Sequence, residues 1–501
     1  MKKIFLICLF PFFIVYGQNQ INNVILEKRK FTPAELREDF SLMKEVFTTL
    51  HPALYEFNTK QNFARLLDST YVELNKEMDV LEFYKMLSPI ISKIGCGHTA
   101  VGLPDREENY IKSFIPIKLK FLDGKAYIIE NFSDSSQLEL CQEVVAINGE
   151  PISELVENLF NYIETDGFSK NNKYFHLDNK FEIYYGLYIS QPDSFDIKVV
   201  RENNSKSSIK VQALLKRGIR KPKPISNSPH KYPFYMDLIN SKTALITIDL
   251  FYVYDQKDKD AYPKFLDSCF TLLKKNKVKN LLIDVRQNPG GYGTRGALLY
   301  SYLTNKPFAY YKQAVVATNK HLPFIKYLNI DYTEEEYNQY LKEIKQTDSG
   351  TLVWTNHENL KIQQPQNNHF QGNTYVLIGR KSFSTTAEFC ALTYSNQKAI
   401  FVGEETGGGY YNVNGGDLPE LKLPNTGIKF KIPMRKYELA VKKLLPEGSG
   451  TIPDFYVSQS IDDFLNTQDT VLKFTMQLIE KNRRKLKRTA NITLDTAGGT
   501  E

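Results

Sequence analysis

Two segments of the sequence carry side chains and backbone groups that could catalyse acyl transfer. Ser382–Glu388 follows an apolar run and begins a helical pattern, so a serine there would lie at the positive end of a helix. Asp284–Gly291 follows another apolar run, and its two glycines let the backbone present N–H groups to an anion. The serine segment alone also has a structural interpretation, because Thr385 and Glu388 have the spacing of a capping box. The serines are not in a G-x-S-x-G sequence, so the nucleophile elbow of α/β-hydrolases is not predicted.

The elements around these segments predict an α/β fold. Four short apolar runs alternate with helical patterns, which indicates a parallel sheet covered by helices. A long insertion, about Phe308–Gln371, has its own helix opened by Thr333–Glu336, and the amphipathic pattern Asp469–Lys481 predicts a final helix docked on the sheet. The predicted strands are Leu245–Ile248, Val278–Val285, Tyr375–Ile378 and Ala399–Val402.

The preceding half of the chain has two different patterns. A capping box at Thr32–Glu35 opens the first of three helical patterns, which end at Gly95–Thr99. From Ile115 the apolar period changes to two, and Asp123-Gly124 predicts a hairpin turn in a small β-rich module with one or two helices. The predicted divisions are a signal peptide at 1–17, a helical module at 18–105, a β-rich module at 106–215, a linker at 216–232, an α/β module at 233–485 and a polar tail at 486–501.

The first residues have the composition of a secretory signal peptide. Lys2 and Lys3 precede the apolar run Ile4–Tyr16, which is shorter than the roughly 20 residues that span a bilayer. Cleavage after Gly17 would place the mature chain in the periplasm or outside the cell, without a membrane span. Four cysteines in so long a chain do not make a disulfide framework, although that compartment permits bridges. They are Cys96, Cys141, Cys269 and Cys390.

Length and composition exclude several classes of protein. The 501 residues carry a formal net charge of +7 and are 42% hydrophobic, so the chain is not disordered. The basic surplus is diffuse apart from Lys481–Arg488, which we interpret as a solvated helix end rather than a nucleic-acid site. No CxxC, CxxH or HExxH spacing occurs, so neither a metal nor another cofactor is predicted.

The ordered set of motifs resembles one enzyme family. Asp284–Gly291 matches D-x-R-x-N-x-G-G, Ser382–Glu388 matches a serine-rich turn into a helix, and Gly403–Gly408 matches G-E-x-T-x-G. Over about Thr243–Val457 this order resembles the tail-specific or C-terminal processing proteases of peptidase family S41. Leu138–Leu159 also looks like the second half of the PDZ-like domain of that family. The resemblance implies a ClpP/crotonase-like catalytic domain in the α/β module and a PDZ-like domain in the β-rich module.

The resemblance also implies roles for individual residues. The nucleophile of the family falls on Ser384, and Gly290 or Gly291 together with Thr385 would supply the N–H groups of an oxyanion hole. The lysine of the processing-protease branch falls on Gly409, so a Ser-Lys dyad is absent. The chain is therefore more similar to the branch of the tricorn core protease and the retinoid-binding repeats.

In that branch a histidine from the N-terminal region is the base, and a late glutamate orients it. His98 matches the G-H-[ST] segment, and Glu447 matches the first position of E-x-x-G-x-x-P-D. The serine that precedes the histidine in tricorn-type sites is Gly97 in this chain, so a fourth hydroxyl is in doubt. These residue types suit the chemistry, because a serine hydroxyl needs a base and a carboxylate fixes the imidazole tautomer. Without the other motifs, we would interpret His98 as a loop histidine and Glu447 as a surface carboxylate.

The sequence thus predicts a secreted or periplasmic serine endopeptidase with Ser384, His98 and Glu447 at its site and a polypeptide or peptide as substrate. Two alternatives stay open. A non-catalytic relative that binds peptides or lipids would explain the missing lysine and Gly97. A crotonase-like acyl-CoA enzyme would share the oxyanion hole, but the signal peptide argues against it. The sequence does not predict the oligomeric state or the cleavage preference.

Overall fold

A computed structural model describes residues 29–215, 230–252, 258–330 and 332–481 of the chain. The predicted signal peptide at 1–17, the polar tail at 486–501 and most of the linker at 216–232 lie outside these residues. Within the described ranges, no helix is both long enough and apolar enough to cross a membrane. The four cysteines in these ranges are free thiols.

The N-terminal segment folds into three helices, as predicted. Thr32 caps the first helix in a full capping box, in which the Glu35 carboxylate accepts the backbone N–H of Thr32 at 2.8 Å. A second capping box, between Asp79 and Glu82, opens the third helix. The elements are α1 (Pro33–Leu50), α2 (Lys60–Glu73), α3 (Val80–Ser92), strand β1 (Ala100–Gly102) and a 3-10 turn at Glu107–Tyr110.

The β-rich module follows and is built around a five-stranded antiparallel sheet. The elements are β2 (Ser113–Phe114), β3 (Ile117–Leu122), β4 (Lys125–Asn131), β5 (Glu143–Ile147), β6 (Glu150–Pro151), α4 (Ile152–Leu159), α5 (Lys170–Tyr188), β7 (Ser194–Val200), β8 (Lys206–Gln212) and β9 (Leu214–Leu215). Asp123 and Gly124 form the predicted turn between β3 and β4, with φ of 48° and 77°. The main sheet has the order β3-β4-β5-β7-β8, and β6 pairs with β5.

The C-terminal module contains the predicted parallel sheet. Its strands are β10 (Phe234–Asn240), β11 (Thr243–Ile248), β12 (Asn280–Asp284), β13 (Tyr311–Val315), β14 (Leu328–Asn329), β15 (Ile344–Gln346), β16 (Leu352–Trp354), β17 (Asn373–Ile378), β18 (Ile400–Gly403), β19 (Asn412–Gly415), β20 (Glu420–Lys422), β21 (Lys429–Lys431), β22 (Arg435–Leu439) and β23 (Phe455–Tyr456). Its helices are α6 (Ala261–Lys275), α7 (Gly293–Ser301), α8 (Glu334–Lys342), α9 (Thr385–Ser395), α10 (Ile461–Leu465) and α11 (470–481).

The six-stranded sheet has the order β10-β11-β12-β17-β18-β23, and only the edge strand β10 is antiparallel to its neighbour. Leu282 and Tyr375 on one face share an apolar cluster with Ile479 of α11, so the final helix docks on the sheet as predicted. Because parallel strands end at the same edge, the segments after β12, β17 and β18 meet there.

Two antiparallel sheets, which the sequence analysis did not predict, join the modules. One has the order β15-β16-β13-β22-β19, and the other has the order β1-β21-β20-β14, so strand β1 of the helical module is paired with the C-terminal module. The core of the helical module is shared in the same way. Phe47 of α1, for example, contacts Phe430 of β21 edge-on with ring centroids 5.6 Å apart.

A buried carboxylate reinforces this junction. Asp39 of α1 accepts the backbone N–H groups of Asn425 at 3.0 Å and Thr426 at 2.8 Å, and the Thr426 hydroxyl at 2.6 Å. Desolvation raises the pKa of Asp39. These bonds fix α1 to the loop between β20 and β21.

We expect Asp39→Asn to weaken this junction. The Asp39 carboxylate accepts four donors on its two oxygens, including the Asn425 side-chain amide, whereas the amide of asparagine offers one oxygen. An unsatisfied buried N–H costs about 1–3 kcal/mol. The thermal midpoint should therefore fall by several degrees, as measured by differential scanning fluorimetry. Glu45→Gln, on the exposed face of the same helix, is the matched control. A midpoint for Asp39→Asn equal to that of the control would show that the contact does not stabilise the junction.

Candidate active site

Ser384 lies at a sharp turn between β17 and α9. Its backbone has φ 54° and ψ −129°, a conformation that non-glycine residues rarely adopt and that occurs at functional sites. The strand, turn and helix have the arrangement of a nucleophile elbow, although the G-x-S-x-G sequence is absent. The residue as a whole is partly exposed.

The capping-box interpretation of this turn is wrong. The residue at the N-cap of α9 is Ser384, whose side chain makes no capping bond. Glu388, the other expected member of the box, is buried, and its carboxylate accepts the Tyr311 hydroxyl at 2.9 Å. Burial raises the pKa of Glu388 to about 7. The Ser384 hydroxyl is therefore available for chemistry.

The neighbouring Ser382 has a structural role. Its hydroxyl donates to the carbonyl of Val285 at 2.8 Å and accepts the N–H of Gly379 at 3.2 Å. The N–H of Phe383 donates to the carbonyl of Asn288 at 3.2 Å. These bonds attach the Ser384 turn to the segment after β12. The sequence does not distinguish the two serines, because the distinction depends on which partner each hydroxyl meets.

His98 contacts Ser384 directly. Its Nε2 lies 3.1 Å from Oγ of Ser384, although the two residues are 286 positions apart. The imidazole stacks on the Phe383 ring with centroids 4.7 Å apart and planes 26° from parallel. Desolvation lowers the pKa of His98 to about 4, so the ring is neutral near pH 7 and can accept a proton.

The base loop, Gly95–Thr99, is fixed at its C-terminal end by a second histidine. His51 accepts the N–H of Ala53 at Nδ1, so its Nε2 carries the proton and donates to the Thr99 hydroxyl at 2.8 Å. The chain then enters β1, which pairs with β21.

Gly97 explains why this site has no fourth hydroxyl. A Cβ atom at position 97 would lie 2.7 Å from Cζ of Phe383, closer than two carbon atoms can approach without a shift. The aromatic ring that stacks on His98 thus occupies the space that a serine side chain at position 97 would need. Phe383 itself carried no signal in the sequence.

The glycine loop, Thr406–Gly409, lies against the Ser384 turn. A Cβ at Gly408 would be 2.6 Å from Cβ of Ala387 and 3.1 Å from the nitrogen of Ser384. Side chains are excluded there because two backbone segments meet. At Gly409, where the processing-protease branch has its lysine, the backbone N–H donates to a carboxylate instead.

The three expected oxyanion donors differ in whether their N–H groups are already hydrogen-bonded. The N–H of Gly290 already donates to Oδ1 of Asn288 at 2.9 Å, so it is not free for a substrate. Gly290 provides space, because a Cβ there would lie 2.7 Å from Cβ of Ser384. The N–H groups of Gly291 and Thr385 meet no acceptor within the described part of the chain. The Thr385 hydroxyl donates to the Gly291 carbonyl at 2.8 Å, which joins the two donor segments.

Glu447 is not at His98. Its side chain is 83% exposed, and its one ion pair is with Lys443 at 3.9 Å. Nδ1 of His98 is buried and has no hydrogen-bond partner among the described residues. In this structure Glu447 therefore does not orient the imidazole, and the stacked Phe383 ring is the contact that limits its rotation.

A cavity of about 530 Å³ borders the loops on either side of the pair, although neither His98 nor Ser384 itself lines it. Gly95 of the base loop and Gly409 of the glycine loop border it. Strand β19, at the edge of its sheet, contributes Asn412 and Asn414 to the wall. Phe57, Phe168, Tyr410 and Tyr411 supply an aromatic lining, and Tyr410-Tyr411 thus lies at the cavity.

A strained serine, a histidine within hydrogen-bond distance and backbone N–H groups without an acceptor among the described residues are the groups that serine hydrolases use, and here they lie on an α/β fold. Residues 242–457 match the sequence model of peptidase family S41, so the chain carries a domain of that family. No curated protein matches the sequence.

Solved structures share the fold over nearly the whole chain. The structure of mature CPAF has 15% identity and a TM-score of 0.62, covering 93% of this chain and 99% of that chain. The structure of mature CPAF complexed with lactacystin has 14% identity and a TM-score of 0.62, covering 92% of this chain and 99% of that chain. The N-terminal half therefore belongs to the shared architecture, beyond the segment that the family model matches.

We expect Phe383→Leu to raise the pKa of His98 from about 4 toward the usual value of about 6.5. The smaller side chain uncovers the imidazole, and water then stabilises its charged form. An NMR titration of the imidazole C2 proton measures the change. Phe168→Leu, which alters an exposed ring of the cavity, should leave the titration unchanged. If the pKa of His98 stays near 4 in Phe383→Leu, residues other than Phe383 cause the desolvation.

Proposed function

We propose that the chain is a serine endopeptidase that acts in the periplasm or outside the cell, with Ser384 as nucleophile and His98 as general base. The observation that supports this most strongly is the 3.1 Å contact between Nε2 of His98 and Oγ of Ser384. The contact joins residues of two modules, and no structural network in the fold requires it. The peptidase family of the C-terminal domain makes a peptide bond the expected substrate.

The reaction follows from the geometry. His98 Nε2 takes the Ser384 proton as Oγ attacks the carbonyl carbon of the peptide bond. The N–H groups of Gly291 and Thr385 stabilise the oxyanion that forms, and one such donor contributes about 2.7–4 kcal/mol. His98 then gives its proton to the leaving amine. A water molecule, activated by the same imidazole, hydrolyses the acyl-enzyme and releases the acid.

The cavity beside the pair suits an extended peptide. Strand β19 lies at the sheet edge within it, and the backbone of a substrate could add to this edge as a further strand. The aromatic wall would contact alternate side chains of the substrate. The composition of residues 1–17, which resembles that of a secretory signal, supports the proposed location. The β-rich module would act as the PDZ-like domain of such a protease.

We expect Ser384→Ala to abolish peptide cleavage. Loss of the nucleophile should lower kcat by at least about 1,000-fold, because binding and the oxyanion hole alone retain little catalysis. Release of fluorescence from a labelled unfolded protein measures cleavage, and the thermal midpoint shows that the variant folds. Ser349→Ala, on an exposed turn of the insertion, is the control. Unchanged turnover for Ser384→Ala would contradict the nucleophile assignment.

Glu447→Gln tests whether a carboxylate completes the site. We expect kcat/KM within about twofold of wild type, because the exposed Glu447 contacts Lys443 and not His98. Lys443→Gln, which removes the other partner of this ion pair, is the matched control. A loss of 100-fold or more in Glu447→Gln alone would mean that the 443–449 segment brings Glu447 to Nδ1 of His98 when substrate binds.

A further inference from the structure

One buried carboxylate contacts both loops that flank the catalytic pair. Asp166 lies between the 3-10 turn Phe160–Tyr162 and α5, outside every motif of the sequence. Its Oδ1 accepts the N–H of Gly97 at 2.8 Å, and its Oδ2 accepts the N–H of Gly409 at 3.2 Å. We propose that Asp166 is a positioning residue that fixes the base loop relative to the glycine loop. The role in catalysis rests on the proposed function.

The two N–H groups are adjacent to the reacting residues. Gly97 directly precedes His98, and Gly409 follows Gly408, which lies against the nitrogen of Ser384. A single rigid carboxylate therefore connects the segment that carries the base to the segment that covers the nucleophile. A displacement of about 1 Å between catalytic groups can cost about 100-fold in rate, so such a connection has a direct effect on turnover.

The segment around Asp166 is itself fixed on both sides. The N–H of Gly167 donates to the carbonyl of Gly95 at 2.9 Å, and the N–H of Phe168 donates to the carbonyl of Gly448 at 2.8 Å. The Thr165 hydroxyl donates to the carbonyl of Ser169 at 3.0 Å. Because Gly95 belongs to the base loop, the turn of the β-rich module that carries Asp166 is itself bonded to that loop and to the segment around Gly448.

The electrostatic environment gives Asp166 no cationic partner. No salt bridge to Asp166 occurs among the described residues, and desolvation raises its pKa to about 6, while the two N–H bonds oppose this shift. The charged groups of the adjoining cavity are Glu56, Lys312, Lys436, Glu438, Lys443 and Glu447. At pH 8 the carboxylate is ionised, so both oxygens accept hydrogen bonds.

The test compares Asp166→Asn with Asp39→Asn at pH 8. Both variants replace a buried carboxylate that accepts two backbone N–H groups across a module junction, but Asp39 contacts neither His98 nor Ser384. In Asp166→Asn the amide nitrogen faces an N–H donor, so one bond is lost and one loop is released. We expect kcat to fall at least tenfold with KM within twofold. Asp39→Asn should lose thermal stability and keep kcat.

Hydrogen–deuterium exchange gives a readout that does not depend on activity. In Asp166→Asn the peptide of the released loop, 95–99 or 406–410, should exchange at least tenfold faster, and in Asp39→Asn both peptides should exchange at the wild-type rate. If Asp166→Asn does not fold, Asp166→Ser replaces it, because a hydroxyl reaches at most one of the two N–H groups.

The outcomes separate the two proposals. Wild-type protein that cleaves no peptide would contradict the proposed function, and the exchange rates would still decide whether Asp166 connects the loops. An active wild type with unchanged kcat in Asp166→Asn would overturn the positioning role. Unchanged exchange in both loops would overturn it as well.

Discussion

The contact between His98 and Ser384 requires that three modules of one chain keep a fixed relative position. The base comes from the end of the helical module, and the nucleophile comes from the carboxyl edge of the parallel sheet. Strand pairing between β1 and β21 and the shared apolar core hold the first module to the third. The turn of the β-rich module that carries Asp166 lies between the first and the third module and is bonded to both. The helical module shares its apolar core with the C-terminal module, whereas the β-rich module has a core of its own.

Two residues of the site, Ser384 and His98, have energetically unfavourable local environments. Contacts with the surrounding fold stabilise them. Ser384 has a backbone conformation that a non-glycine residue rarely adopts, and His98 has an uncharged, desolvated ring without a partner at Nδ1 among the described residues. Hydrogen bonds from Ser382 and Phe383 to the segment after β12 keep the turn in this conformation. The resulting site holds a neutral base against the Ser384 hydroxyl, which favours a catalytic role over a non-catalytic binding role.

Local signals in the sequence predicted much of the fold. The capping box at Thr32, the turn at Asp123-Gly124 and the four parallel strands all depend on neighbouring residues, and all are confirmed. The position of helix α5 was not predicted, because a kink at Lys180 interrupts the helix and its apolar residues form no single continuous face. Asp166 was missed for a different reason, since its function depends on two backbone groups far away in the sequence. Glu447 matched a motif, but a motif does not determine the conformation of the loop that carries it.

The central claim is that His98 activates Ser384, and covalent labelling measures this most directly. A fluorophosphonate probe is incubated with the wild-type protein and with His98→Ala, and the adduct is mapped by mass spectrometry. The account predicts an adduct on Ser384 in the wild type and a labelling rate at least about 100-fold lower without the imidazole. No adduct in the folded wild-type protein, an adduct on another serine, or an equal rate in His98→Ala would contradict it.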